Sequence, residues 1–109
     1  MTVNELSKAL GCKVLCMPDG EREVTGGYCG DLLSWVMGRA EPNCVWATIM
    51  TNLNVVAVAT LADVAVTVIC ENSEIGDDVI KTALDKNVNL VRSSMPIYEF
   101  CVALSKLLK

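Results

Sequence analysis

The sequence predicts a single α/β domain over residues 1–109: a mainly parallel sheet of about five strands, opened by an N-terminal hairpin and covered by helices on its faces. Three observations carry this expectation. After the opening hairpin, strand-like and helix-like stretches alternate three times, a rhythm that gives parallel strands joined by right-handed crossovers. The runs Cys44 to Met50 and Val64 to Cys70 are continuously apolar, as strands buried on both faces are. Finally, 109 residues leave room for one core; with 52% hydrophobic but only 5% aromatic residues, that core is built from Val, Leu, Ala and Ile.

Each element has its own local signal. Thr2-Val3-Asn4-Glu5 fits a capping box, Val3, Leu6, Ala9 and Leu10 follow at helical spacing, and Gly11 is a natural stop. Cys12 to Cys16 reads as a strand, Met17-Pro18-Asp19-Gly20 carries turn chemistry, and Glu23 to Tyr28 reads as the second arm of the hairpin. Asp31 is placed to N-cap a helix from Leu32 to about Arg39 that buries Leu32, Leu33 and Val36. Asn54 to Ala62 is ambiguous because its valines favour strand. Its alanines, a cap from Asn52 or Asn54, and the need for a crossover before the next strand favour helix. Asp77 or Asp78 starts a helix through Val79, Ile80, Ala83 and Leu84 that Asn87 terminates, and Val88 to Arg92 is the last strand. Pro96 lies in the first turn of a closing helix with the stripe Ile97, Phe100, Cys101, Leu104 and Leu107.

Composition excludes several function classes. The net charge is −4 and the nine Lys and Arg are scattered, which disfavours DNA, RNA and anionic membranes as partners. No apolar run reaches the roughly 18–20 residues a membrane span needs. The N-terminus, Met1 to Glu5, has neither a basic nor an apolar leader region, so a cytoplasmic location is expected. There is no histidine, so neither a Ser-His-Asp nor a Cys-His arrangement can be assembled and no catalytic residue is singled out. The six cysteines form no C-x-x-C pair, and no metal or other cofactor is expected. Cys44 and Cys70 lie in apolar runs, where a free thiol behaves as a small hydrophobe; a redox role rests on cysteine number alone.

The most informative segment runs from Gly26 to Ala40. A glycine-rich turn and one acid precede a short amphipathic helix, and such turns leave N–H groups that can meet an anion. No Lys-Ser/Thr follows the glycines, so this is not an NTPase phosphate loop. A second turn-to-helix junction, Thr51-Asn52-Leu53-Asn54, ends a central strand at the edge where ligands gather in open α/β sheets. The candidate ligand-binding residues are therefore Gly30, Asp31, Thr51, Asn52 and Asn54. The Gly30 N–H suits an anion, Thr51 can donate to an oxygen, and the asparagines suit a base edge or hydroxyl. The plainer reading is that Asp31, Thr51, Asn52 and Asn54 only cap helices and turn the chain. Trp46 reads as core, whereas Trp35, beside Ser34 and near Met37, is either half-buried or part of an oligomer surface; an interface at Trp35 and Met37 is favoured.

Residues 27–40, Gly-Tyr-Cys-Gly-Asp-Leu-Leu-Ser-Trp-Val-Met-Gly-Arg-Ala, with Trp46 to Met50 and Asn54 to Ala59, resemble small stand-alone DRTGG-domain proteins. Such domains are similar in fold to the N-terminal domain of HPr kinase/phosphorylase, and relatives occur beside CBS domains in regulatory pyrophosphatases and ahead of some phosphotransacetylases. The resemblance implies a regulatory or ligand-sensing module, often dimeric, with no catalytic residues to carry over. The family's Asp-Arg appears here as Gly30-Asp31 followed by Leu32, and its Thr-Gly-Gly, expected after Cys70, is replaced by Glu71-Asn72-Ser73. A kinase label does not fit a chain with no phosphate cradle. The expected function is thus a non-catalytic regulatory domain that forms a homodimer and takes an adenine nucleotide or similar anion. The alternative is a pure interaction subunit, without small ligand, that docks on a larger metabolic or redox enzyme.

Overall fold

The computed structural model describes residues 1–108. In chain order it contains α1 (Val3–Ala9), β1 (Lys13–Cys16), β2 (Gly26–Cys29), α2 (Leu33–Arg39), β3 (Cys44–Thr48), α3 (Asn54–Ala62), β4 (Val66–Ile69), α4 (Asp77–Asp85), β5 (Leu90–Arg92) and α5 (Ile97–Leu107). The strands form one sheet in the order β1-β5-β4-β3-β2. β2, β3, β4 and β5 run parallel, and β1 lies antiparallel against β5.

The α/β class and the mainly parallel five-stranded sheet agree with the sequence, but the N-terminal hairpin does not form. β1 and β2 lie at opposite edges of the sheet. The turn at Pro18 to Gly20 does reverse the chain, yet the returning segment pairs with the start of α1 rather than with β1. Val3 and Val24 N–H donate to Arg22 and Met1 carbonyls at 3.0 and 2.9 Å, and Thr2 and Glu23 form an isolated bridge. Turn chemistry fixes a reversal, not the partner. Residues 17–25 are held where they leave β1 by Asn89, a side chain only 3% exposed. Its Nδ2 donates to the Asp19 and Ala65 carbonyls at 2.8 and 2.9 Å, and its Oδ1 accepts from the Asp19 N–H at 3.0 Å.

Side-chain alternation divides the core into two layers. Cys44, Trp46, Ile69 and Leu90 face α2, α3 and α4, joining Val36, Val55, Val58, Val79 and Ala83. Val45, Ala47, Val66, Val68 and Val91 face the other way, onto Val3 and Leu6 of α1 and Phe100 and Leu104 of α5. Three successive crossovers of one hand place their helices on one face, leaving the opposite face to the two terminal helices. Trp46 is fully buried, as its apolar surroundings in sequence suggest.

Both ends of α1 and the end of α4 follow the signals in the sequence. Thr2 and Glu5 form the capping box, and Gly11, with φ 64°, takes the left-handed position that stops α1. Asn87 takes the same conformation after α4, at φ 61°. α3 forms despite its valines because they pack into the core: Val55, Val56, Val58, Ala59 and Ala62 are buried, while Asn54, Ala57, Thr60 and Leu61 face outward. Replacing Asn89 by Ala strips three hydrogen bonds from buried backbone. It is expected to lower unfolding free energy in urea by roughly 2–4 kcal/mol with an unchanged m-value.

Candidate functional site

Four parallel strands end on the same edge of the sheet, so the segments after β2, β3, β4 and β5 gather there. Two of them are bolted together by Asp31. Its Oδ1 accepts from the Thr48 hydroxyl at 2.6 Å and from the Ile49 N–H at 2.9 Å, and Thr48 Oγ1 in turn accepts from the Met50 N–H at 3.2 Å. Asp31 therefore does not N-cap α2. That helix begins at Leu33 with Leu32 in the cap position and no side-chain cap, because the carboxylate is drawn across to the end of β3. Leu32 also departs from expectation, being 58% exposed rather than buried.

Gly30 is likewise engaged by the fold. Its N–H donates to the Ala47 carbonyl at 3.2 Å and its carbonyl accepts from Trp46 Nε1 at 2.9 Å. The N–H that an anion would need is thus committed to the sheet, and Gly30 serves to satisfy the buried indole. The Thr51 to Asn54 junction is more open. Asn52 Oδ1 accepts from the Asn54 N–H at 2.9 Å, so Asn52 holds the first turn of α3 from just outside the cap position. The Val55 and Val56 N–H groups are engaged by the Asn52 and Leu53 carbonyls, both at 3.1 Å. What remains for a ligand is side-chain chemistry: the half-buried Thr51 hydroxyl, the Asn52 amide N–H₂ and the exposed Asn54 amide.

Arg92, at the end of β5 on the same edge, was not among the residues that motif reasoning selects. Its Nε is buried and has no hydrogen-bond partner among the described residues. It shares the α3-side face of the sheet with Leu90, two residues earlier. The only sequence signal for it is an arginine closing the apolar strand Val88 to Arg92. The loop after β4, from Glu71 to Ser73, is shaped by backbone. Glu71 and Asn72 take φ 61° and 53°, and their N–H groups donate to the Met95 and Ser93 carbonyls, both at 2.8 Å. Left-handed backbone at a non-glycine residue carries strain, here held by those two bonds.

The interface candidates are exposed. Trp35 and Met37 on α2 are 51% and 46% accessible, and the Arg39 guanidinium stacks 3.6 Å from the Trp35 ring centroid. Leu32, Ile49 and Leu53, all large and apolar, are exposed as well, and α2 packs beside α3. Among the described residues, no group of three or more His, Cys, Asp or Glu side chains is arranged to hold a metal ion. No helix among them is long and apolar enough to cross a membrane.

No protein-family model matches the chain, and no curated protein matches it in sequence. Its fold matches the crystal structure of the CBS and DRTGG domains of the regulatory region of Clostridium perfringens pyrophosphatase, solved with the activator diadenosine tetraphosphate. The TM-score is 0.72 at 8% identity, over 98% of this chain and 45% of that one. The chain thus spans a little under half of its structural neighbour, and the likeness is one of fold. It agrees with the DRTGG resemblance carried by residues 27–40, 46–50 and 54–59.

The Asp31–Thr48 contact predicts coupled stabilities. Asp31→Ala and Thr48→Val are each expected to cost about 1–2 kcal/mol in thermal or urea unfolding, and the double variant less than their sum.

Proposed function

We propose that this chain is a non-catalytic regulatory module that takes an adenine nucleotide or similar anion at its β3-to-α3 junction and transmits occupancy to an assembly surface on α2 and α3. The observation that carries this reading is adjacency. Asn52, with its amide N–H₂ open, and Asn54, with its whole amide open, flank Leu53, which is 48% exposed, and α3 packs on α2 with its exposed Trp35 and Met37. Ordering of residues 51–54 by a ligand therefore acts directly on side chains that a partner would cover.

The roles divide by chemistry. Thr51 and the asparagine amides suit the donors and acceptors of a base edge or ribose hydroxyl, while Arg92 supplies charge for a phosphate. The ends of β3 and β5 are two strand spacings apart, about 10 Å. A ligand with an adenosine at one end and phosphates at the other covers that distance. Asp31 keeps the end of β3 in place without meeting the ligand through its bonded oxygen. The structural neighbour's complex with diadenosine tetraphosphate supports an adenine nucleotide as the first ligand to try. The assembly formed through Trp35 and Met37 is proposed to be a homodimer, since exposed aromatic and methionine side chains are characteristic of interface centres.

A second reading, an interaction subunit that docks on a larger metabolic or redox enzyme without any small ligand, is favoured by one specific observation. The Gly30 N–H, one Asp31 oxygen and the first-turn N–H groups of α3 are already engaged within the chain.

Titration calorimetry with ATP, AMP and diadenosine tetraphosphate distinguishes the two. Saturable binding is expected, weakened about tenfold, or roughly 1.4 kcal/mol, by Asn52→Ala and by Arg92→Gln. Absence of heat with every nucleotide would remove the ligand and leave the docking reading. Separately, Trp35→Glu is expected to convert a concentration-dependent dimer into a monomer in sedimentation velocity, with unchanged circular dichroism. A wild-type chain that stays monomeric at high micromolar concentration would refute the homodimer.

A further inference from the structure

A groove of about 440 Å³ separates the open edge of β2 from α5, lined by Gly26, Gly27 and Cys29 on one side and Cys101, Leu104 and Ser105 on the other. α5 packs close on β2 at Gly27, where a Cβ would meet Leu104 Cδ2 at 2.9 Å. The same packing aligns two thiols. Cys29 is two residues beyond Gly27 on one face of β2, and Cys101 is one turn before Leu104 on one face of α5. The two cysteines line the same groove, one from its strand side and one from its helix side. Cys29 is exposed and Cys101 half-buried, whereas Cys16, Cys44 and Cys70 are buried and Cys12 is half-buried. Burial pushes the Cys12 thiol up to about 11 and that of Cys70 to about 12, which keeps both protonated.

We infer that Cys29 and Cys101 form a reversible dithiol–disulfide pair that fastens the edge strand β2 to α5, with a low-molecular-weight disulfide as oxidant. The exposed Cys29 loses its proton and attacks one sulfur of the small disulfide, forming a mixed disulfide and releasing one thiolate, which takes up that proton. Cys101 then attacks Cys29 Sγ, the mixed-disulfide bond breaks, and the second small thiolate leaves and takes up the Cys101 proton. Two protein thiols are oxidised and one small disulfide is reduced to two thiols. Burial holds the Cys101 thiol up at about 11. The product closes a loop through most of the chain and seals the groove beside β2.

The test treats the native protein with hydroxyethyl disulfide, quenches in acid, alkylates the remaining thiols and maps peptides without reduction. The expected result is a mixed disulfide first on Cys29, then a Cys29–Cys101 link, with the linked form melting at least about 5 °C higher than the reduced form. Cys101→Ala is expected to stop at the mixed disulfide and Cys29→Ser to give neither product, each retaining its circular dichroism. A wild-type mixed disulfide that never resolves, a link between other cysteines such as Cys70 and Cys101, or a linked form that melts no higher would overturn the inference.

Discussion

Four adjacent parallel strands have to end on the same side of their sheet, and the layout of the candidate site follows from that constraint. It gathers the segments after β2, β3, β4 and β5 within a few strand spacings of one another. Because consecutive crossovers share one hand, it also sends α2, α3 and α4 to a single face. The opposite face is left to α1 and α5, which cover Val45, Ala47, Val66, Val68 and Val91. The edge is then fixed by side chains: Asp31 joins the end of β2 to the end of β3, and the Glu71 and Asn72 N–H groups join the β4 end to the segment after β5.

Much of this was legible in the residues, and where it was not the reason is physical. The aliphatic runs around Trp46 and Val68, the Thr2–Glu5 capping box, Gly11 and Asn87 are local signals, and each produced the element it implies. The failures are all non-local. Pro18 to Gly20 reverses the chain, but the returning segment pairs with the start of α1, and the turn itself is held by Asn89, seventy positions beyond Asp19. Asp31 precedes a helix and looks like its cap, yet Thr48 and Ile49, far along the chain, offer two donors that win the carboxylate. Gly30 looks like an anion turn until the buried Trp46 indole and the Ala47 carbonyl claim both its backbone groups.

The candidate site was read with the same mixture. Thr51, Asn52 and Asn54 stand at the strand end where α/β sheets place ligand sites, and they leave the Thr51 hydroxyl, the Asn52 amide N–H₂ and the Asn54 amide unengaged within the described residues. Arg92 was invisible because a lone arginine at a strand end has no motif; its unpaired, buried Nε is a property of the packed chain. Trp35 and Met37 are exposed, and the exposure of Leu32 and Leu53 makes the apolar surface wider than helical periodicity suggests. The candidate ligand residues at the start of α3 thus lie beside the exposed side chains of α2, the layout on which the proposed coupling of ligand contact to assembly rests.

Hydrogen exchange of the backbone amides, compared with and without saturating diadenosine tetraphosphate, tests that coupling most directly. Slower exchange is expected at residues 51–56 together with α2, the first from ligand contact and the second from assembly. Slowing confined to a region outside both, or no change in either, would contradict it.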